Sequence, residues 1–213
     1  MARHIDSVCR LCRREGVKLY LKGSRCESPK CAIERRNQPP GMHVRRGKLT
    51  EYGERLREKQ KLKRFYGLLD RQFSRYFQQA ARSKDNTGEA LLSLLERRLD
   101  NVVHRLGFAP SRAGARQLVA HGHIQLNGKN CDIPSLNVKA GDVVTVNSRP
   151  RSTAQVKLNQ QAHIEPIPDF LEITGSEPPQ GRMTRLPGRG DVDPRLNKEK
   201  VLNEQLIIEF CSR

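Results

Sequence analysis

Four cysteines lie within the first 31 residues of the chain, in a segment that is strongly basic. Cys9 and Cys12 form a Cys-x2-Cys pair, and Cys26 and Cys31 form a Cys-x4-Cys pair 13 residues further on. Each pair fits one tight turn, so the two turns can face each other around a single ion. A segment this short and polar holds little core of its own. The spacing therefore predicts a structural metal site rather than a catalytic one.

Zinc is the favoured metal, because a tetrahedral shell of four sulfur ligands leaves no open position. An iron–sulfur cluster uses the same ligands, but a basic head has no evident use for an electron. The remaining alternative is four unrelated free thiols. Cys131 and Cys211 are isolated in the sequence and are predicted to be packed or inert.

The positive charge of the chain is concentrated in two regions. The formal net charge is +17 over 213 residues; residues 1–64 contain 19 Lys and Arg against 7 Asp and Glu, and residues 97–150 contain 8 against 3. The segments 65–96 and 151–213 are neutral. This distribution predicts two separate contacts with a large anion, which we interpret as nucleic acid.

A membrane partner is not expected. No apolar run approaches the roughly 20 residues of a membrane-spanning helix, and the first residues lack the apolar stretch of a signal peptide. Without an export signal, we expect a reducing compartment, in which cysteines bind metal rather than form disulfides.

Residues 1–44 are predicted to be irregular, and helices follow. Thr50 is placed to cap a helix that runs to about Tyr66. A second helix fits residues 67–82. An apolar residue recurs there at every fourth position, at Phe65, Leu69, Phe73 and Phe77. We interpret this stripe as core rather than as a platform for stacking bases.

The middle of the chain predicts one long helix, one short helix and a hairpin. The long helix begins near Asn86 and continues to Leu106, with apolar residues at helical spacing. Ser111 caps a short helix that ends near His121. Asn127-Gly128 predicts a type I′ turn. The strands predicted around this turn and after it are 124–126, 130–133 and 143–146.

The last third of the chain is harder to interpret. Residues 150–200 are rich in Pro and Gly, and the stretches 177–179 and 187–190 are predicted to be loops. The tail from Asn203 fits either a short helix capped by that residue or a buried strand. We favour the helix.

The stretch from Ser111 to Gly128 is the most specific in the chain. Arg112 and Arg116 lie one turn apart on one side of the short helix, whose N-terminus suits a phosphate. Taken alone, the two arginines equally fit an ordinary solvated face. The order of residues in this stretch, however, closely resembles the small RNA-binding module named after the fourth protein of the bacterial small ribosomal subunit.

The resemblance extends from the first residues to the last. It therefore indicates that the whole chain, and not only the module, is similar to the family of that fourth protein. It is carried by Val8–Gly16, Lys30–Arg36, Tyr52-Gly53, Leu56–Lys61, Leu99–Val103, Arg105–Phe108 and Asn203–Ile207.

The resemblance implies an α+β fold. A mainly helical domain would carry a metal-tied irregular N-terminal head and an inserted small α/β RNA-binding module. The limits that we assign are 1–44 for the metal-bound basic head, 45–95 for the helical domain completed by 175–213, and 96–160 for the module.

The function implied by the resemblance is structural. The chain would bind small-subunit ribosomal RNA at a multi-helix junction of the 5′ region and nucleate assembly. It would lie beside the third and fifth small-subunit proteins, near the place where messenger RNA enters. The protein would be located in a cytoplasmic ribosome, with an organellar ribosome as the alternative.

Phosphate contacts by Arg and Lys should dominate RNA binding, because an RNA duplex displays phosphates and hides its bases. Aromatic residues make up 5% of the chain and Trp is absent, so base stacking is a minor contribution. The predicted RNA contacts are Arg10, Arg13, Arg14, Arg35, Arg36, Arg45, Arg46 and Lys48 in the head, Lys59 and Lys63 on the following helix, and Arg112, Arg116, His121, His123, Asn127 and Lys129 in the module.

Two other functions compete with this interpretation. Pseudouridine synthases contain the same module, and Arg98-Leu99-Asp100 superficially resembles their catalytic loop. Asp100, however, is predicted to lie in the middle of a helix, where a surface or capping role is expected, so we predict no enzyme. A free RNA-binding assembly factor is the second alternative.

Overall fold

The computed structural model describes residues 4–42, 47–84, 86–161, 166–197 and 202–212. The chain divides into two compact units, of which the first comprises Met1–Leu91 and Asp193–Arg213 and the second Leu92–Val192. Helices occur in both units, and an antiparallel sheet of five strands lies in the second. This is the α+β character that the sequence predicts. No helix within the described ranges has the length and apolar composition needed to cross a membrane.

The head contains short helices, so the prediction of a wholly irregular segment is wrong. α1 covers Cys9–Glu15 and α2 covers Ala32–Arg35, with a 3-10 turn at Gly23–Cys26 between them. α1 ends because Gly16 adopts a left-handed conformation with φ of 77°, and its N–H bonds to the Cys12 carbonyl. These turns satisfy the backbone hydrogen bonds of a segment with few apolar residues.

Helix α3 (Glu51–Phe65) packs against the C-terminal helix α10 (Glu204–Cys211). α3 is capped as predicted, because Thr50 Oγ1 accepts a hydrogen bond from the Gly53 N–H at 3.2 Å. The prediction of a helical tail is also confirmed. A single turn of helix, α9 (Pro194–Asn197), precedes that tail.

Helix α4 (Asp70–Ala81) carries most of the aromatic stripe. Phe73 and Phe77 of α4 and Phe65 of α3 are buried, which confirms the interpretation as core. Leu69 does not follow the stripe: it precedes α4 as the N-cap residue and is 42% exposed. Four-residue spacing keeps side chains on one face only within a continuous helix. The helical conformation is interrupted between α3 and α4, so Leu69 does not share the buried face.

The long helix predicted in the middle of the chain is two helices, so that prediction is wrong. α5 covers Thr87–Glu96 and α6 covers Leu99–Arg105. Arg98 between them is extended, with ψ of 136°. The first two N–H groups of α6 donate to carbonyls of the segment 134–136, at 2.8 and 3.1 Å. The first N–H groups of a helix have no acceptor within the helix, and the carbonyls of this distant segment accept their hydrogen bonds. A new helix can therefore begin at Leu99.

Helix α7 (Arg112–Ala120) begins where the sequence predicts. Ser111 Oγ accepts a hydrogen bond from the Gly114 N–H at 3.2 Å, which caps the helix. Gly122, with φ of 70°, follows its C-terminus. The described strands are β1 (Ile124–Leu126), β2 (Lys129–Asn130), β3 (Val143–Val146), β4 (Leu171–Ser176) and β5 (Pro179–Met183), in the order β2-β1-β3-β5-β4.

The hairpin between β1 and β2 has the predicted turn. Asn127 and Gly128 both have positive φ, 51° and 76°, as a type I′ turn requires. The return strand, however, covers two residues immediately after the turn rather than 130–133. β3 occupies the predicted residues.

The described part of 150–200, which is hard to interpret from the sequence, contains ordered elements. The loops predicted at 177–179 and 187–190 are largely confirmed, although Pro179 already belongs to β5 and a 3-10 turn covers Arg189–Asp191. α8 covers Pro150–Gln161, and β4 and β5 form a hairpin whose second strand pairs with β3. Two of the three buried residues of β5 are Pro179 and Gly181, which normally mark turns and so conceal the strand in the sequence. The sequence assigns the chain from residue 175 to the helical domain, whereas strand pairing places 175–183 in the sheet.

The core of the second unit lies between the sheet and α6, α7 and α8. β5 lies so close to the C-terminal end of α6 that a Cβ at Gly181 would lie 2.5 and 2.7 Å from the two methyl carbons of Leu106, the residue that follows this helix. Leu106 is 1% exposed and has little room to move away. Glycine is therefore needed at this position of the strand.

Gly181→Ala should lower the free energy of unfolding by about 1–3 kcal/mol, because the added methyl group overpacks the core. Gly175→Ala in the partner strand is the matched control, since its new Cβ would meet no atom closer than 3.5 Å. Urea denaturation of both variants measures the difference. Equal stability of the two would show that the contact with Leu106 relaxes without cost.

Candidate nucleic-acid interface

The head presents exposed cations on both of its helices. Four of the predicted RNA contacts are exposed there: Arg10, Arg14, Arg35 and Arg36. Arg13 is half-buried, and its guanidinium donates to the backbone carbonyls of the 38–39 segment at 2.9 and 3.4 Å. Arg45 and Arg46 lie outside the described residues, and Lys48 is exposed.

The other three cysteines of the head lie close enough to Cys12 to affect its pKa. Burial raises the pKa of Cys12 to about 11; a backbone N–H opposes the rise, and Cys26, Cys9 and Cys31 add to it. Burial also raises the pKa of Cys26, and the Lys22 N–H, which donates to Cys26 Sγ at 3.3 Å, opposes that rise. The two cysteine pairs seen in the sequence therefore lie in one region of the head.

The donor types in this region fit zinc, because thiolates are the preferred ligands of a structural zinc ion. The arrangement shown is not a closed site. Across the described residues, no group of three or more His, Cys, Asp or Glu side chains is placed to hold a metal ion.

A buried carboxylate joins the head to α3. Glu15, at the end of α1, has a fully buried side chain and contacts the guanidinium groups of Arg57, at 3.2 Å, and of Arg64. Burial raises the pKa of Glu15, and the two arginines oppose the rise. This connection is not visible in the sequence, because the partners lie 42 and 49 residues apart.

The two cations of α3 predicted to bind RNA also contact other parts of the first unit. Lys59 and Lys63 lie 3.4 and 3.3 Å from Asp70. Burial would raise the pKa of Asp70, but the two ammonium groups outweigh it and hold this pKa below its usual value. The Lys59 ammonium also lies over the rings of Phe73 and Phe210, at 5.9 and 5.2 Å.

In the second unit, the two predicted arginines of α7 face α6. Arg112 Nε donates to Asn101 Oδ1 at 2.8 Å. Arg116 Nη1 donates to Asp100 Oδ2 at 3.1 Å. The arginines are half-buried, so each combines a structural bond with contact to solvent.

The acceptors of these bonds belong to a buried polar cluster that sequence reasoning missed. Asp100 is 5% exposed, so the predicted surface role is wrong, and the N-cap residue of α6 is Arg98 rather than Asp100. It pairs with Arg98, whose side chain is fully buried. Asn101 bonds to Glu96, which is also fully buried. The sequence does contain a signal for this cluster, which is a set of charged residues inside an apolar stretch. Because buried charges require partners, such a set indicates that the charged side chains pair with one another.

The histidines of the predicted site lie beside a groove of about 230 Å³ between α7 and α8. His121 is exposed, and its ring centroid lies 6.2 Å from that of His123. His123 Nδ1 is 3.0 Å from Ser152 Oγ of α8. The groove lies on the side of α7 away from the two arginines.

The two predicted contacts in the hairpin have different surroundings. Asn127 Nδ2 donates to Asp142 Oδ1, and Asn127 Oδ1 accepts from the Val143 N–H, both at 2.9 Å. This side chain therefore fixes the turn. Lys129 is exposed on β2.

Comparison with known proteins extends this picture to the whole chain. Residues 3–96 match the family model described as Ribosomal protein S4/S9 N-terminal domain, and residues 97–144 match the S4 domain. The chain is 52% identical over 214 residues to small ribosomal subunit protein uS4A of Symbiobacterium thermophilum and to uS4 of a Thermoanaerobacter species. It is 51% identical over 215 residues to uS4 of Trichlorobacter lovleyi. Each alignment covers 100% of both chains.

The chain belongs to the uS4 family. The resemblance seen in the sequence is thereby confirmed. The region that matches the S4 domain contains α6, α7, β1 and β2, and it ends within β3. The described sheet continues beyond this match, because β5 and β4 add two strands next to β3.

Glu15→Gln should lower the free energy of unfolding by about 1–3 kcal/mol, since two arginines lose their buried carboxylate. Glu34→Gln is the control in the head, because Glu34 forms a more exposed pair with Lys18 and should change stability by less than about 1 kcal/mol. Urea denaturation at neutral pH compares them. Equal losses would mean that Glu15 contributes no more than a surface pair.

Proposed function

We propose that this chain is a structural component of the small ribosomal subunit that binds ribosomal RNA at a multi-helix junction and nucleates assembly. The observation that carries the proposal is the full-length similarity to chains named small ribosomal subunit protein uS4. The S4-domain match and the exposed cations support RNA as the ligand.

The proposed RNA surface has two parts, one in each unit. In the first, exposed arginines of α1 and α2 would neutralise phosphates. In the second, α7 and the β1–β2 hairpin would contact the RNA through Arg112, Arg116 and Lys129. Phosphate neutralisation releases condensed counterions, so this surface predicts strongly salt-dependent binding. The remaining predicted contacts stay proposals. Among them, Lys59, Lys63 and Asn127 already contact carboxylates within the protein, so their side chains are less free to reach RNA.

The four cysteines are proposed to bind zinc. What supports this is the paired spacing and the closeness of the other three cysteines to Cys12. The ion would draw the four side chains into a tetrahedral shell as thiolates. Its role would be to hold the head together.

The partners would be small-subunit ribosomal RNA, the third and fifth small-subunit proteins, and messenger RNA where it enters. The location would be the ribosome in the bacterial cytoplasm, with an organellar ribosome as the alternative. The similarity to bacterial uS4 proteins supports the first of these.

The enzyme alternative is not favoured. The relatives matched along their whole length are named as ribosomal proteins, and the carboxylate of Asp100 is held by Arg98 and Arg116. A nucleophile in a pseudouridine synthase must reach its substrate, whereas this side chain is 5% exposed. Sedimentation separates the remaining alternative: a resident protein travels with the small subunit at one copy each, and a free assembly factor does not.

Binding to a transcript of the 5′ region of small-subunit ribosomal RNA tests the proposed ligand. If roughly 6 to 10 phosphates are neutralised, affinity should fall at least about a thousandfold between 50 and 200 mM salt. Replacing both Arg35 and Arg36 by Gln should reduce the slope of log affinity against log salt by about 2. Replacing both Arg71 and Arg75 by Gln is the matched control, because these two exposed arginines of α4 are not among the predicted contacts, and it should change the slope less. A flat salt response, or equal binding to a plain duplex of the same length, would contradict the proposal.

Chelation tests the proposed zinc site. Removing metal should unfold the head and leave residues 90–150 folded, because the head has little apolar core to replace the ion. Amide NMR of the full chain follows both regions, and native mass spectrometry measures the metal content. A chain that holds no zinc when purified without chelators, or that loses both regions together, would contradict the site.

A further inference from the structure

Two arginines on one face of α7 are each bonded to a polar side chain of α6. Arg112 Nε bonds to Asn101 Oδ1, and Arg116 Nη1 bonds to Asp100 Oδ2. The arginines are one helical turn apart, and their two acceptors are consecutive residues. An arginine side chain has many rotamers in water, so a bond of this kind limits the directions in which its guanidinium points.

The carboxylate of Asp100 is itself fixed from the other side. Arg98 Nε donates to Oδ1 at 3.1 Å, and Arg98 Nη2 donates to Oδ2 at 2.7 Å. Two parallel bonds set the plane of the carboxylate. Because Arg98 is fully buried, neither partner can turn away into solvent. Arg116 therefore bonds to an acceptor with one orientation.

The amide of Asn101 is fixed in a different way. Its Nδ2 donates to the backbone carbonyl of Glu96 at 3.0 Å and to Glu96 Oε2 at 2.6 Å. Both of these groups only accept hydrogen bonds, so the NH₂ end of the amide must face Glu96. The oxygen end then faces Arg112. Glu96 is fully buried and lies 3.8 Å from Arg105 Nε, so this second acceptor is also held in place.

We propose that Asp100 and Asn101 are positioning residues for RNA binding, which hold Arg116 and Arg112 in the orientation that meets the phosphates of the RNA. This inference rests on the proposed function. A guanidinium has five N–H donors in a rigid fork, so a bond to α6 is compatible with a bond to a phosphate. A side chain already held in its bound orientation loses less conformational freedom on binding.

A double-mutant cycle in the full chain tests this role for Asn101. Asn101→Ala, Arg112→Gln and the double variant are compared with the wild type by their affinity for the 5′-region transcript. Each single substitution should weaken binding roughly tenfold. The double variant should bind no more than about twofold more weakly than Arg112→Gln, because Asn101 acts through that arginine. Thermal unfolding of each variant shows that it is folded.

The same cycle with Asp100→Asn and Arg116→Gln tests the other pair. Glu177→Gln is the matched control: it removes the same charge from an exposed carboxylate that pairs with Lys157, and it should leave affinity within about twofold. If Asp100→Asn fails to fold because Arg98 loses its partner, the Asn101 cycle decides the question, since Asn101→Ala removes no ionised group.

The outcomes distinguish this inference from the function on which it rests. A wild-type chain that does not bind the transcript would overturn the proposed function and the inference with it. Wild-type binding together with Asn101→Ala at unchanged affinity would overturn only the inference. Losses that multiply in the double variant would do the same, because they would show that Asn101 affects RNA binding independently of Arg112.

Discussion

Buried carboxylates that face arginines are the interactions on which this strongly basic structure depends. The chain has 40 Lys and Arg but 23 Asp and Glu, so unneutralised positive charge opposes compact folding. Glu15 in the first unit and Asp100 in the second each contact two arginines from an almost fully buried position. Because a charge inside a protein requires a partner, these acids fix where the arginines around them can lie.

This arrangement links stability to the binding surface. In both units, some cations contact internal acceptors, as Arg116 and Lys59 do, and others are exposed, as Arg35 and Lys129 are. Bonds of the first kind hold the shape of the protein, and the cations of both groups add to its positive charge. A fixed shape is what an RNA duplex requires of a partner, because the duplex offers backbone geometry more than base edges.

Local signals in the sequence predict much of the fold. Thr50, Ser111 and Asn203 cap the helices that follow them, and the Asn127-Gly128 turn has the expected backbone. The break before α6 was not predictable, because it depends on carbonyls more than 30 residues away. β5 was hidden since its buried face uses Pro179 and Gly181. The exposed cations of the site could be found from charge alone, but the internal bonds of Arg112 could not, because nothing in the order of residues names its acceptor.

The pairing of Glu15 with Arg57 and Arg64 connects the head to α3. The two arginines are seven residues apart, which places them on the same side of α3. The carboxylate of Glu15 contacts both guanidinium groups and offsets their positive charges. A shortened chain that started after residue 44 would leave these like charges adjacent and uncompensated. Such a fragment should be less stable than the full chain, because nothing would offset the repulsion between the two guanidinium groups.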